Sequence, residues 1–468
     1  MSFKCFLLLA LALWSCGDSP TGSDRTSPMV AIVFPSDREN YDRDGDGLVD
    51  IEVQFTDSGS GVDETTLELA ASRPAGPQGQ GGTDLLQVFE VVARDSASAV
   101  LGETTEALLP DGEVILTVRV SDRAGRTGEA TRTIELPAGA FHRRLDLGLP
   151  PAGAPVNVEI LPDGSRGYVL GDLGRLSLGF VPFDPHTLEF FPPIESPAVS
   201  NPFDAEYDPV AQRVFAVSIN VPFMVVLDPS TGTLEASIPI FSRGVGVERG
   251  PQSGLLYVAL STTPAAIAVV DPVERRQVRV IQTAFTDPSN PGQEAFLKTP
   301  RLPAIEDRIY VPLSVGPGGI LVLDQASGEL LEWIDINPSP GQIDNPVEST
   351  LDRLRQKLYV ADLSGAGAGL VEIDITRNEV ARRITTERPG AKFPVLSPSG
   401  NRLFVTLGGV GLEADAENWL VDTTTFTILQ RFQSINPCCD NDAAFRPDGQ
   451  LVFVASGGGL AVYLNRGE

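Results

Sequence analysis

An all-β fold in two units is what this 468-residue sequence predicts, and three observations predict it. The 46 Gly and 38 Pro fall without a strict period between short runs rich in Val and Ile, a composition that suits many short strands joined by tight turns. After Phe141 one phrase returns seven times: a strand, a turn, an aromatic-centred strand, a strand ending near Asp, and a further strand. Before it, strand-like runs between Met29 and Val120 have the spacing of a small β-sandwich.

Composition narrows the function classes. A formal charge of −27 works against binding a phosphate backbone, which needs Lys and Arg to displace counterions, so no nucleic-acid partner is expected. The carboxylates are spread along the chain, as suits the solubility of an exported protein. The two histidines, His142 and His186, leave little for a His-ligated zinc or a Ser-His-Asp site. No flavin, haem or nucleotide fingerprint is present.

At the N-terminus, Lys4 precedes the apolar run Cys5 to Leu13, too short for a membrane span and right for the core of a signal peptide over residues 1–15. The run ends Leu13-Trp14-Ser15-Cys16-Gly17, which resembles the bacterial lipobox, whose cysteine is acylated and becomes the mature N-terminus. The resemblance implies that Cys16 attaches lipid and is the only contact with the membrane. It also implies the outer membrane, because Gly17 stands where inner-membrane members commonly have Asp. Residues 16–28, rich in Ser, Thr, Gly and Pro from Asp18 to Pro28, read as a flexible tether.

The first folded unit is expected over 29–137. Its stretch Val114 to Val120, Ser121-Asp122-Arg123-Ala124-Gly125 and the strand beyond resembles the last hairpin of bacterial immunoglobulin-like domains, which implies a spacer-like immunoglobulin β-sandwich. Within it, Asp42-Arg43-Asp44-Gly45-Asp46-Gly47-Leu48-Val49-Asp50 has calcium-loop spacing: the Asp42, Asp44, Asp46 and Asp50 carboxylates and the Leu48 carbonyl match positions 1, 3, 5, 9 and 7. Position 12 holds Val53 where an EF-hand has a bidentate Glu, so a complete EF-hand is excluded, and Glu52 or Asp57 is left to close the site. A solvated Asp/Gly turn is the alternative.

The second unit is expected over 141–468. Its aromatic-centred strands surround Tyr168, Phe215, Tyr257, Tyr310, Tyr359, Phe404 and Phe453, spaced from 42 residues (Phe215 to Tyr257) to 53 (Tyr257 to Tyr310), the size of a four-stranded propeller blade. Turns such as Pro162-Asp163-Gly164 and Pro447-Asp448-Gly449 precede them, and third strands end in Asp184, Asp228, Asp271, Asp324, Asp374 and Asp422. These phrases resemble the YVTN repeat family, which implies a seven-bladed β-propeller. The seventh unit lacks a fourth strand, and Arg144 to Leu147 supplies an orphan one, so the ring is expected to be closed by an N-terminal strand.

Counting back from the aromatic residues places Glu159, Glu206, Glu248 and, with a slip, Glu348 at equivalent points of four innermost strands, with Arg301 on a fifth. If they face inward, they form an acidic channel ring. Such a ring could hold a cation, as the resemblance to calcium-dependent propeller lactonases implies, with Asn157 and Asp204 adjacent; packing between blades or pairing with Arg301 is the alternative. Three connections, Thr283 to Arg301, Asn337 to Glu348 and Asn436 to Asp442, are long for a propeller face, and the last holds Cys438-Cys439, a candidate vicinal disulfide. Two functions follow as expectations: a non-catalytic binding or scaffold lipoprotein with a protein or glycan ligand, or a cation-dependent hydrolase using the channel.

Overall fold

A computed structural model of the protein describes residues 25–73, 83–84, 89–94, 97–147, 154–172, 178–195, 201–283, 297–314, 318–336, 345–363, 368–386, 390–407, 417–433, 440–457 and 459–467. Among the described residues the chain is all-β, with nine antiparallel sheets and no helix.

The first unit is two four-stranded sheets. One orders Met29–Phe34, Asp50–Thr56, Ser98–Glu103 and Phe89–Arg94; the other orders Thr83–Asp84, Val62–Ser72, Gly112–Asp122 and Thr127–Leu136. Alternation makes the core: Ile51, Val53 and Phe55 of one strand and Val114, Leu116, Val118 and Val120 of another are buried, while the residues between them face outward or sideways. The turn after Val120 forms as its sequence demands, with Asp122 Oδ1 accepting from Ala124 N and Arg126 N, each at 2.8 Å.

Seven small sheets follow. Their second strands are Gly167–Asp172, Arg213–Ser218, Leu256–Leu260, Arg308–Pro312, Lys357–Asp362, Arg402–Leu407 and Leu451–Ser456, and the seven aromatic residues at their centres are all buried. They pack onto the neighbouring sheet: Tyr310 joins the cluster of Leu358 and Val360, and Tyr359 that of Leu403 and Val405. The aspartates ending the third strands cap the next turn, as Asp228 does on Ser230 N at 2.8 Å and Asp422 on Thr425 N at 2.7 Å.

First strands are Ala154–Ile160, Pro202–Asp208, Gly244–Arg249, Pro346–Asp352, Ala391–Leu396 and Ala443–Phe445. In the fourth sheet residues 297–301 take that place through isolated bridges, with Arg301 and Tyr310 exchanging both backbone hydrogen bonds at 2.8 and 2.9 Å. Gly246 permits their approach, because a Cβ there would lie 2.5 Å from Thr299 Oγ1 and 2.6 Å from its Cα. The last sheet takes its fourth strand from Gly139–Asp146, which pairs with Gly459–Asn465 and ties the two ends of the second unit together.

The first unit is not a loosely joined spacer. Arg466 places its guanidinium on Glu103 and on the carbonyls of Leu109 and Gly47. Arg446 reaches the Thr105 carbonyl, Leu108 N donates to Gln450 Oε1 at 3.2 Å, and His142 Nδ1 lies 2.9 Å from the Asp46 carbonyl. Leu48 and Leu108 pack on the apolar cluster that joins the first and seventh sheets. Arg446 and Gln450 belong to the connection between first and second strands of the seventh sheet, and Arg402, which approaches Asp111 at 3.6 Å, opens the second strand of the sixth. Since strands alternate in direction, the second-to-third and fourth-to-first connections lie on the other face.

Candidate functional site

The first strands surround a cavity of about 310 Å³. Register explains what lines it. Opposite the central aromatic residues stand Glu159, Glu206, Glu248, Arg301, Thr350, Val395 and Ala444, one per sheet. Two residues earlier comes a second level, Asn157, Asp204, Gly246, Thr299, Glu348, Phe393 and Asp442. In five first strands the pairing slips just before this level, between Pro155 and Asn157, Pro202 and Asp204, Gly244 and Gly246, Pro346 and Glu348, and Ala391 and Phe393. Such bulges re-aim the side chain that follows.

Glu159, Glu206 and Glu248 therefore sit where the sequence places them, at equivalent points. Glu348 does not: Thr350 occupies the equivalent point opposite Tyr359, and Glu348 belongs to the level of Asp204. Glu159, Glu206 and Glu248 lie nine residues before Tyr168, Phe215 and Tyr257, whereas Glu348 lies eleven before Tyr359, one full side-chain repeat of the strand away.

The carboxylates differ in their partners. Glu248 is held by two guanidiniums, from Arg301 at 2.6 Å and from Arg353. Glu348 accepts from Thr299 Oγ1 at 2.9 Å and lies 3.4 Å from Arg301 Nη2. Asp204 accepts from Asn157 Nδ2 at 3.0 Å and Val247 N at 2.8 Å, and Asp442 from Val158 N at 3.3 Å. Glu159 has the backbone N–H of Tyr207, and no donor among the described residues reaches the Glu206 carboxylate. Asn157, 8% exposed, turns its Oδ1 to no partner.

Burial sets the electrostatics. Glu159, Glu206 and Asp442 are all pushed well above the carboxylate range, first by desolvation and then by neighbouring carboxylates: Glu206 and Asp204 act on Glu159, Glu248 and Asp204 on Glu206, and Asp204 on Asp442. Burial and the Glu348 charge raise Asp204 to about 7, against the pull of Val247 N and Arg301. Desolvation opposes the charge of Arg301, but Glu248, Glu348 and Asp204 outweigh it and hold the guanidinium protonated. Buried Lys298 is lowered despite the nearby Glu348.

A second cluster lies in the first unit. Oxygens of Asp42, Asp44 and Asp50 lie within 4.8 Å of one another. Asp42 caps the loop, accepting from Gly45 N and Gly47 N at 2.7 Å each, and Asp50 accepts from Arg43 N at 2.9 Å. Asp46 stands outside the convergent group: one oxygen accepts from Leu48 N at 2.9 Å and the other lies 3.8 Å from His142 Nδ1. Neither residue offered to close the loop joins it, since Glu52 pairs with Arg43 at 2.7 Å and Asp57 caps Gly61 N at 2.6 Å. Val53 is fully buried in the sandwich core, which is why no ligand occupies position 12.

Cys16, the leader and the pair Cys438-Cys439 lie outside the described residues. Within the described ones, Asn157 and Asp204 were named as neighbours of the ring, whereas Thr299, Phe393 and Asp442 on the same level were missed in the sequence, because a fixed offset from the aromatic residue finds only one level. Spacing by two along one strand could have found them, as Asn157/Glu159, Asp204/Glu206 and Thr299/Arg301 share it.

No family model matches the chain, and no curated protein matches it. Solved structures do. Hydrazine synthase of Kuenenia stuttgartiensis is similar with a TM-score of 0.54 at 16% identity over 68% of this chain and 96% of that one. The β-propeller domain of Cps50 (Swd1) from Myceliophteria thermophila is similar with a TM-score of 0.53 at 11% identity over 69% of this chain and 99% of that one. At such identities the likeness concerns the fold alone, and the fold is that of a β-propeller.

Proposed function

We propose that this is an exported lipoprotein of the cell envelope, anchored at Cys16 in the outer membrane, whose work is to bind a small ligand in the central cavity without transforming it. Its second unit is a seven-bladed propeller of the YVTN type closed by the strand Gly139–Asp146, and its first an immunoglobulin-like sandwich that carries a structural calcium ion on Asp42, Asp44 and Asp50. The observation that carries the binding reading is the cavity itself, whose volume is at the small end of the roughly 300–1,000 Å³ usual for ligand pockets, and which is lined by polar groups of unequal satisfaction.

Binding is favoured over cation-dependent hydrolysis by the way the carboxylates are held. Glu248 and Glu348 are engaged by Arg301, and the cavity carboxylates are spread over two levels. Among the described residues the group whose oxygens converge as ligands of one ion is in the first unit. The docked sandwich leaves free the face built by second-to-third and fourth-to-first connections, where a propeller commonly binds.

Small molecules retained by the purified mature protein, identified by mass spectrometry and compared with a Thr350→Trp variant, test the reading. Thr350 lines the cavity, and Trp would fill it. A compound held by the wild type and lost in the filled variant supports binding; identical retained sets sink it. Anchoring is tested separately, since Cys16→Ala should move the protein from the detergent phase to the aqueous one.

A further inference from the structure

We infer that the cavity takes an organic primary ammonium ion, its –NH₃⁺ held by Asn157, Glu159 and Glu206 and its apolar body laid against Phe393, Val395 and Phe445. This rests on the cavity being the binding site and names the chemistry it selects.

Acceptors without donors come first. Asn157 Oδ1 is buried and unpartnered, in a side chain whose amide is fixed by donating to Asp204. Leaving a buried carbonyl unpaired is costly, and the fixed amide prevents it from turning to another partner. Beside it along the same face stands Glu159, with one backbone donor, and on the next sheet at the same level stands Glu206, with none among the described residues. All three line the cavity. An ammonium group offers three N–H donors and no acceptor, which complements this set.

Charge agrees with that count. Six carboxyls, Glu159, Asp204, Glu206, Glu248, Glu348 and Asp442, face three basic groups, Arg301, Arg353 and Lys298, and two of the three are spent on Glu248. The surplus of carboxyls over bases lies toward the first two sheets, where the unsatisfied acceptors are, and a cation held there favours the ionised forms of Glu159 and Glu206 that burial otherwise opposes. An anion would be repelled by the carboxyls that ionise, and a neutral molecule would supply no counter-charge to favour their ionisation.

The sixth and seventh sheets supply a different wall. Phe393, Val395 and Phe445 line the cavity from there, offering apolar contact. A bare divalent ion would use only the carboxylates. An ammonium on an apolar body uses both walls.

Isothermal titration of the full mature protein with phenethylamine, 2-phenylethanol, 3-phenylpropionate and calcium chloride separates the outcomes. Phenethylamine should bind, and the alcohol and the acid should not. Glu206→Gln and Glu159→Gln, which keep shape and remove charge, should each weaken the amine about tenfold or more while leaving the unfolding midpoint near that of the wild type. Equal binding of amine and alcohol, or amine binding unchanged in both variants, overturns the inference. So does a cavity that retains only anionic or neutral compounds lost in Thr350→Trp, an outcome that leaves the binding reading standing. If no probe and no retained compound depends on Thr350, both fall together.

Discussion

Arg466 and Glu103 form a bidentate ion pair at 2.7 and 2.8 Å with both side chains fully buried, and the pair joins the last strand of the second unit to the sandwich of the first. Both carboxylate oxygens and both terminal guanidinium nitrogens are engaged, while Arg466 Nε has no partner among the described residues. Glu103 also accepts from Val49 N at 2.9 Å and Leu109 N at 2.5 Å, and Arg466 also donates to the carbonyls of Gly47 and Leu109. A buried pair gains little over an apolar replacement, but breaking one half strands a charge.

Arg466→Met should therefore destabilise the protein by about 3–5 kcal/mol, since it leaves the Glu103 carboxylate in a site without its counter-charge. Adding Glu103→Gln should recover part of the loss, because the amide oxygen still accepts from one backbone N–H without carrying charge. Urea unfolding of the single and double variants measures both. A single-variant loss below about 1 kcal/mol, in the range of an exposed ion pair, would show that the two units are not locked here.

The acidic loop Asp42 to Asp50 lies against this lock, since Gly47 and Asp46 supply carbonyls to Arg466 and His142. An ion held by Asp42, Asp44 and Asp50 should stabilise the folded state by about 2.7 kcal/mol at a hundredfold excess over its dissociation constant. Thermal unfolding with and without calcium reads this. Asp44→Asn should abolish the increment, whereas Asp46→Asn, outside the convergent group, should keep most of it; equal melting temperatures with and without calcium in the wild type would remove the ion from the description.

The cavity predicts a dependence on pH of a definite sign. Asp204 is raised to about 7 in the folded protein, against about 3.9 for a free Asp, so the folded state binds more protons between those values. Its contribution is fully present below the unfolded value and lost as pH rises through 7. Glu159, Glu206, Glu348 and Asp442 act in the same direction. Turn-capping carboxylates such as Asp374, lowered first by its Lys357 partner, act oppositely and lose their contribution as pH falls. Stability should thus decline from about pH 5 to pH 8, with Asp204 alone contributing on the order of 3 kcal/mol. Asp204→Asn should flatten that decline in urea titrations, and an unchanged slope would mean that water in the cavity already solvates the carboxylate.

Local rules made the strands and turns legible. Tyr168, Phe215 and Tyr257 mark second strands because alternation and the Pro/Gly turn beside them act over a few residues, and the aspartates after third strands cap turns within three residues. Glu159, Glu206 and Glu248 were found through the same periodicity. Glu348 was misplaced because Thr350 holds the regular point and the nearest acidic residue belongs to the neighbouring level, and Asp442 sits before the short strand Ala443–Phe445, where no repeat phrase marks it. The Arg466–Glu103 pair joins residues 363 apart in sequence, and nothing local in either segment distinguishes Arg466 from a surface arginine. Sequence distance hides such pairs because the sheets, not the chain, bring them together.

Two neighbouring glycines separate the loop's own strain from its docking. Gly45 has φ +85° and nothing within 4 Å of where a Cβ would stand, so Gly45→Ala should cost about 1–2 kcal/mol, the penalty of a left-handed conformation for a residue with a Cβ. Gly47 has φ +80° and would place its Cβ 2.7 Å from Ala140 Cβ and 3.2 Å from the Phe141 carbonyl, on the strand that closes the second unit. Gly47→Ala should carry the same conformational cost and a further penalty of about 1–3 kcal/mol for overpacking. It should also raise hydrogen exchange at Leu108 and Val49, whose amides are protected by Gln450 across the interface and by Glu103. Gly45→Ala should leave those amides as slow as in the wild type. Equal costs for the two substitutions, with exchange unchanged, would mean that the loop does not press on the closing strand, and that the ion site and the lock between the units are independent.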